Sequence, residues 1–388
     1  MEAVIERLPM KIKNHQLSLK NYQREIIPVL VIILCSIVFD TWSDGAFISP
    51  RNLSNLSRQV CVNLTLAVGM TMIILTSGID LSVGSVLALA GMASAISQVQ
   101  WQWSTLGATG AFLSFALALM VGGLSGAVTG FLVSRLKITP FIVTLGMMVI
   151  ARGLTLIISS AQAVAPLGET LGRLSSDYLP PQASSILIGV VSAGTLVFAA
   201  ERVLKKTAPV AEVLKHSISI LALCGVGLYA FGNYRGIPYM VFISVLCTIC
   251  GMLVLKYTRF GRFIYAIGGN REAAELSGIP VARTLGLTYF LMGCLAGLAG
   301  VMDSTRVNGA VPSAGELSEL DAIAAVVIGG TSLMGGAGTI GGTLLGVLIM
   351  GVLNNGMSLV GVSEHYQKVF KGLVIILAVY LDLRSKKK

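Results

Sequence analysis

The sequence predicts an all-α fold, a polytopic transmembrane helical bundle with about 10 to 12 crossings. Three observations carry that expectation. Of 388 residues, 54% are apolar and 12% charged, and the mean hydropathy is +0.82, outside the range of water-soluble domains. Several stretches run for about twenty residues with little or no charge, the length a helix needs to cross a hydrocarbon core roughly 30 Å thick. Basic residues gather in the short breaks between those stretches. Backbone polar groups inside lipid must be satisfied internally, so the stretches read as helices, and the short alternating segments of a β-barrel are not found.

In chain order the spans read as 26–43, 58–77, 82–100, 107–133, 138–159, 186–203, 216–232, 238–256, 284–303, 337–358 and 366–383. A shorter apolar stretch, 321–334, reads as a half-helix or a re-entrant element. The first span starts deep in the chain and lacks a small-residue cleavage site, so it reads as an uncleaved anchor. The domain organisation follows: a cytoplasmic segment 1–25, a transmembrane domain 26–383 with a cytoplasmic loop 257–283, and a basic tail 384–388. Two further loops, 160–185 and 304–320, fall on the outer side, and no stretch is long enough for a soluble domain.

The net charge of +10 is distributed against nucleic-acid binding. Arg7, Lys11, Lys13, Lys20 and Arg24 precede the first span. Arg135 and Lys137, then Arg202, Lys205, Lys206 and Lys215, then Lys256, Arg259, Arg262, Arg271 and Arg283 fill later breaks, and Arg384 with Lys386–Lys388 closes the chain. The positive-inside rule puts these breaks and both termini in the cytoplasm. Arg51, Arg173, Arg235, Arg306 and Lys368 fall on the outer side as mostly single exceptions.

Glycine, with 44 copies, is the most informative residue type. Gly122, Gly126 and Gly130 recur every fourth position, as do Gly338, Gly342 and Gly346, and Gly293 with Gly297. Such ridges let helix backbones approach closely. They serve either tight packing within one subunit or smooth faces along which helices slide.

Two breaks interrupt apolar runs. In Gly78–Ser85, Asp80 or Ser82 can accept backbone N–H groups at the start of the next helix. An ionisable residue at a membrane helix break is also a pathway candidate. Asp321 is the matching case in the second half. Residues 68–91 and 326–349 share this pattern and read either as a parallel repeat or as two glycine-rich hairpins alike in composition. Arg152 lies ~21 Å along its span at 1.5 Å per residue. There it either snorkels to the outer interface or meets a carboxylate, Asp80 or Asp321, as a gate. Asn63, Thr65, Thr76, Ser77, Thr144, Thr331, Asn354 and Asn355 supply neutral hydrogen-bonding groups within the apolar segments. A hydroxyl-rich solute needs such groups, although each one alone serves equally as an interhelical bond. Asn63, Ser77, Asp80, Ser82, Asp321 and Thr331 form the candidate pathway set.

The loop 257–283 differs in kind. Asn270 can cap a short helix from Arg271 to Ser277, with Glu272 and Glu275 placed early on it, where the dipole favours anions. Gly278 fits a left-handed stop and Pro280 follows. Ala273, Ala274, Leu276 and Ile279 offer small apolar contacts. A capped two-turn helix at the cytoplasmic face is suited to docking.

No G-x-x-x-x-G-K-[ST], H-E-x-x-H or G-x-S-x-G occurs, and His15, His216 and His365 stand far apart. Neither catalysis nor a cofactor is expected. Cys247 and Cys250 have C-x-x-C spacing inside an apolar helix without a second pair, so they read as small buried residues and no metal site is expected.

The strings GIDLSVGSVLAL at 78–89, GRFIYAIGGNREAAELSGIPV at 261–281 and ELDAIAAVVIGGTSLMGGAGTIGG at 319–342 resemble the permeases of bacterial ribose, xylose and galactose ABC importers. The likeness spans about 40–382. The xylose branch is nearest, through the long middle region 160–235, RGIP at 235–238 and NNGMS at 354–358. Asn354 stands where that branch tends to carry Asp. The resemblance implies a fold of the large-permease ABC importer type, a permease in the inner membrane working as a homodimer, with ATPase subunits docked on the coupling segment. That segment comprises Asn270, Arg271, Glu272, Ala273, Ala274, Glu275, Leu276, Ser277 and Gly278. A periplasmic sugar-binding protein is implied on the outer side. The competing expectation from the residues is a secondary transporter of a small polar solute with its own ion coupling through Asp80 and Asp321.

Overall fold

The computed structural model describes residues 28–205 and 210–386. The segment 1–25, Lys206 and the last two lysines of the tail lie outside the described residues. In chain order the helices are α1 (Pro28–Trp42), α2 (Pro50–Leu75), α3 (Val83–Val99), α4 (Ala108–Ser134) and α5 (Pro140–Ile158). They continue with α6 (Glu169–Ser176), α7 (Pro181–Leu204), α8 (Val210–Gly232), α9 (Tyr239–Tyr257), α10 (Arg259–Gly269) and α11 (Arg271–Leu276). The last are α12 (Val281–Arg306), α13 (Ser318–Ile328), α14 (Ile340–Leu359) and α15 (Glu364–Lys386). Seven of them, α2, α4, α5, α7, α9, α12 and α14, are long and apolar enough to cross a membrane, and α1, α3 and part of α8 are shorter apolar helices.

Most predicted spans coincide with helices to within a few residues, and two differ instructively. Helix α2 begins at Pro50, not 58, because Ser49 caps it by accepting from the Asn52 N–H at 3.3 Å and Pro50 stands in its first turn. Polar Arg51, Asn52, Asn55 and Arg58 hide that start from a hydropathy reading. Asn52 is buried, and its amide nitrogen donates to Asn355 Oδ1 at 2.8 Å and to the Phe47 carbonyl at 2.9 Å. The expected 321–334 element is α13, which starts three residues earlier and stops at Ile328, where Gly329 and Gly330 (φ +84°) turn the chain.

Helices α2 and α12 form the centre, with Leu66, Met70, Ile73, Met292, Ala299 and Met302 almost fully buried. The glycine ridges pack helices within this one chain. A Cβ on Gly126 would stand 3.0 Å from Gly293 Cα, and one on Gly130 2.7 Å from the Gly286 carbonyl oxygen, so α4 and α12 touch backbone to backbone. Gly342 and Gly346 bring α14 equally close to Gly329 and Ala325 of α13. The outer helices leave large apolar side chains such as Phe112, Ile157 and Val197 exposed, as lipid-facing surfaces require.

Three short elements had no hydropathy signal. These are α6, α10 and an antiparallel pair of two-residue strands, β1 (Tyr178–Leu179) and β2 (Ile237–Pro238). The last is a minor departure from an all-α chain. It ties the segment after α6 to the start of α9.

Candidate translocation breaks and docking surface

The first break begins where Thr76 and Ser77 end α2, with Ser77 in the left-handed region at φ +63°. Asp80 is buried. Its Oδ1 accepts from the Ser82 N–H at 2.8 Å and from the Ser82 hydroxyl at 2.6 Å. This is an Asx-type turn that positions the chain for α3, so the capping role read from the sequence is present, with Asp80 as acceptor. Ser82 itself makes no side-chain cap bond. The Tyr289 hydroxyl of α12 is buried beside Gly78 without a hydrogen-bond partner, and the Thr144 hydroxyl donates to the Ile79 carbonyl at 3.4 Å. Asn63 is half-buried further up α2.

In the second break Asp321 sits in the first turn of α13, four residues past Leu317 at its start. Its Oδ2 is 2.8 Å from Lys371 Nζ on α15 and accepts from Asn354 Nδ2 at 3.4 Å. The sequence reading overlooked Lys371. A lysine inside an apolar span needs a carboxylate in reach, and that was the available signal. Thr331 is fully buried, with its hydroxyl unpartnered against Gly338.

Arg152 meets neither Asp80 nor Asp321. Its Nη1 donates to the carbonyls of Pro312 and, at 2.9 Å, Ala314 in the loop after α12, with Glu319 and Glu316 within electrostatic reach. That loop folds over this part of α5 and takes the guanidinium.

The two breaks and the end of α10 come together at one junction. The Gly336 N–H donates to the Leu75 carbonyl at 3.0 Å, and the Ser77 hydroxyl donates to the Met334 carbonyl at 2.7 Å. A second contact of that hydroxyl reaches the Gly268 carbonyl at 3.4 Å. A Cβ on Gly268 would overlap the Leu75 carbonyl oxygen, and one on Gly336 would stand 2.9 Å from Gly269. Ser77 thus belongs to this junction.

Helix α11 follows directly. Asn270 Oδ1 accepts from the Ala273 N–H at 2.9 Å, and Gly278 takes φ +77° with its N–H donating to the Glu275 carbonyl at 3.0 Å. Ala274 points inward onto Ile267, Val281, Leu285 and Ile279. Ala273 and Leu276 point outward instead, Leu276 being 85% exposed, so the four apolar positions divide into an anchoring pair and a free pair. Glu272, Glu275 and Arg271 are exposed, the last two paired at 3.7 Å.

Among the described residues no group of three or more His, Cys, Asp or Glu side chains could hold a metal ion. Cys247 is half-buried and Cys250 exposed on α9.

Residues 52–379 match the family model described as the permease component of branched-chain amino acid transport systems. The chain is 37% identical over 382 residues to the xylose transport system permease of Escherichia coli strain K12, covering 96% of this chain and 95% of that one. It is 36% identical over 369 residues to the xylose permease of Haemophilus influenzae, covering 93% and 96%. It is 38% identical over 362 residues to the ribose import permease of Bacillus subtilis, covering 92% and 90%. No solved structure matches. With its apolar helices and both breaks inside the matched region, the chain belongs to this permease family and is the multi-pass membrane subunit of an ABC importer, with ATP hydrolysis on a separate subunit.

Proposed function

We propose that this permease carries a monosaccharide into the cytoplasm, D-xylose in the first place and ribose or a related sugar otherwise. It does so across the inner membrane as a homodimer with both termini cytoplasmic, receiving sugar from a periplasmic binding protein. The named xylose and ribose permeases match over nearly their whole length, which weighs more for the substrate than the branched-chain amino acid wording of the family model. Neutral side chains at the breaks suit a hydroxyl-rich solute.

The observation that carries the mechanism is the junction. An ATPase bound to exposed Ala273, Leu276, Glu272 and Glu275 would move α11 and α10. Gly268 touches both Leu75 and the Gly335–Gly336 turn, so that motion reaches the ends of both broken segments without a flexible intermediate. Alternating access then follows as a shift between two packed arrangements. In proteoliposomes holding the permease, its ATPase and its binding protein, Glu272→Arg with Glu275→Arg should leave the complex folded and separate ATP hydrolysis from uptake. Unchanged coupling would end the docking role. Uptake of leucine in place of labelled xylose or ribose would end the sugar assignment.

The ion-coupled alternative assigns Asp80 and Asp321 as carriers. Asp80 Oδ1 is engaged by Ser82 and Asp321 Oδ2 by Lys371, and the chain's family is driven by ATP.

A further inference from the structure

Three cations on peripheral helices hold one segment. Arg152 of α5 grips the carbonyls of Pro312 and Ala314, Lys368 of α15 pairs with Glu316 at 3.1 Å, and Lys371 of α15 pairs with Asp321 at 2.8 Å. The first two contacts lie on the outer loop and are exposed or half-exposed. The third is different, because Asp321 is buried and Lys371 largely so.

Several features set the Asp321–Lys371 pair apart from a static bolt. A buried ion pair rarely stabilises more than well-packed apolar residues would, so its presence is weak evidence for a purely stabilising role. The polar satisfaction is incomplete: Asp321 Oδ1 and the neighbouring Asn354 Oδ1 are both buried without a hydrogen-bond partner. Helix α13 has a turn at each end, with Gly315 at φ +67° and Leu317 at +64° before it and Gly330 at +84° after it. Its face toward α14 meets the side-chain-free surface of Gly342 and Gly346. Among the described side chains of α15, Gln367, Lys371, Val374 and Ile375 are half-buried and Lys368 reaches Glu316, while Tyr366, Phe370, Leu373 and Ile376 are exposed. Lys371 is the half-buried charge among them.

We propose that Lys371 is a positioning residue for transport: its ion pair with Asp321 holds the half-helix α13 in the arrangement described, and the pair parts in each cycle as α13 pivots between its turns. The inference rests on the permease reading above. A latch needs two arrangements of similar stability, and the two orphaned oxygens are the acceptors a second arrangement would satisfy.

The test uses the full chain reconstituted with its ATPase and binding protein, with the unaltered chain alongside. Lys371→Met leaves a buried carboxylate alone and should cut uptake more than tenfold, whereas Lys371→Arg should retain it. The neutral pair Lys371→Met with Asp321→Asn should regain wild-type folding, read as the thermal transition in detergent, yet keep uptake at least tenfold down, because the latch is gone. Recovery of full uptake in the neutral pair would overturn the proposal and leave a structural bolt. Exchanging the two, Lys371→Asp with Asp321→Lys, restores an ion pair without a carboxylate at 321 and should bring uptake back above that of the neutral pair. A folded exchanged chain with uptake no higher than the neutral pair would equally overturn the proposal. No sugar uptake by the unaltered chain would count against the permease reading instead.

Discussion

Gly122 and Gly293 lock into each other: a Cβ on either glycine would overlap the carbonyl oxygen of the other. The contact is backbone on backbone, so no rotamer change can relieve an added side chain. Gly122→Leu or Gly293→Leu should therefore destabilise the α4–α12 pair by about 1–3 kcal/mol or more. Gly146→Ala on α5, where nothing lies within 4 Å of the new methyl, should stay within about 1 kcal/mol of the parent or gain slightly. Thermal unfolding in detergent separates the two, and equal transition temperatures would contradict the packing argument.

Asp80 can be divided into its capping and pathway roles. Asp80→Asn keeps an oxygen at the position that accepts from the Ser82 N–H and hydroxyl, while Asp80→Ala removes it. Hydrogen bonds to a charged acceptor contribute about 1.5–3 kcal/mol, so the alanine variant should lose stability and the asparagine variant should lose less. If Asn sustains uptake, the carboxylate acts as a cap. Full folding with abolished uptake in Asn would assign the charge to the pathway.

Removing the Asn270 cap should loosen α11 alone. An N-cap is worth about 1 kcal/mol, which corresponds to roughly fivefold faster amide exchange over 271–277, with α9 and α12 unchanged. ATP-coupled uptake should fall in parallel. Unaltered exchange in Asn270→Ala would show that the docking partner or the Ala274 anchor, not the cap, defines the helix.

Arg152 should hold the loop after α12. Arg152→Gln loses the reach to both Pro312 and Ala314 carbonyls, so residues 307–317 should become more open to protease added to the detergent-solubilised protein. Arg152→Lys, with fewer donors in a compact head, should fall between. Equal cleavage of all three would leave Arg152 as an interfacial charge with no hold on the loop.

Much of this protein was legible in its residues alone, because lipid as a solvent writes its demands locally. Span positions follow from desolvation summed over about twenty residues, and α3, α4, α5 and α9 lie where that sum puts them. The Asn270 cap and the Gly278 stop involve neighbours within eight positions, and both formed as read. The glycine ridges announced close packing without naming the partner helix. What only tertiary structure decided was pairing across long separations: Asp321 with Lys371, Arg152 with the loop at 312–314, and Ser77 with Gly268 and Met334. A lone charge in an apolar run states that a partner is required but not which one, since the choice depends on how the intervening helices stack. The polar start of α2 is the same lesson in reverse. Asn52 looked like loop until the fold brought Asn355 within 2.8 Å of it and made its burial affordable.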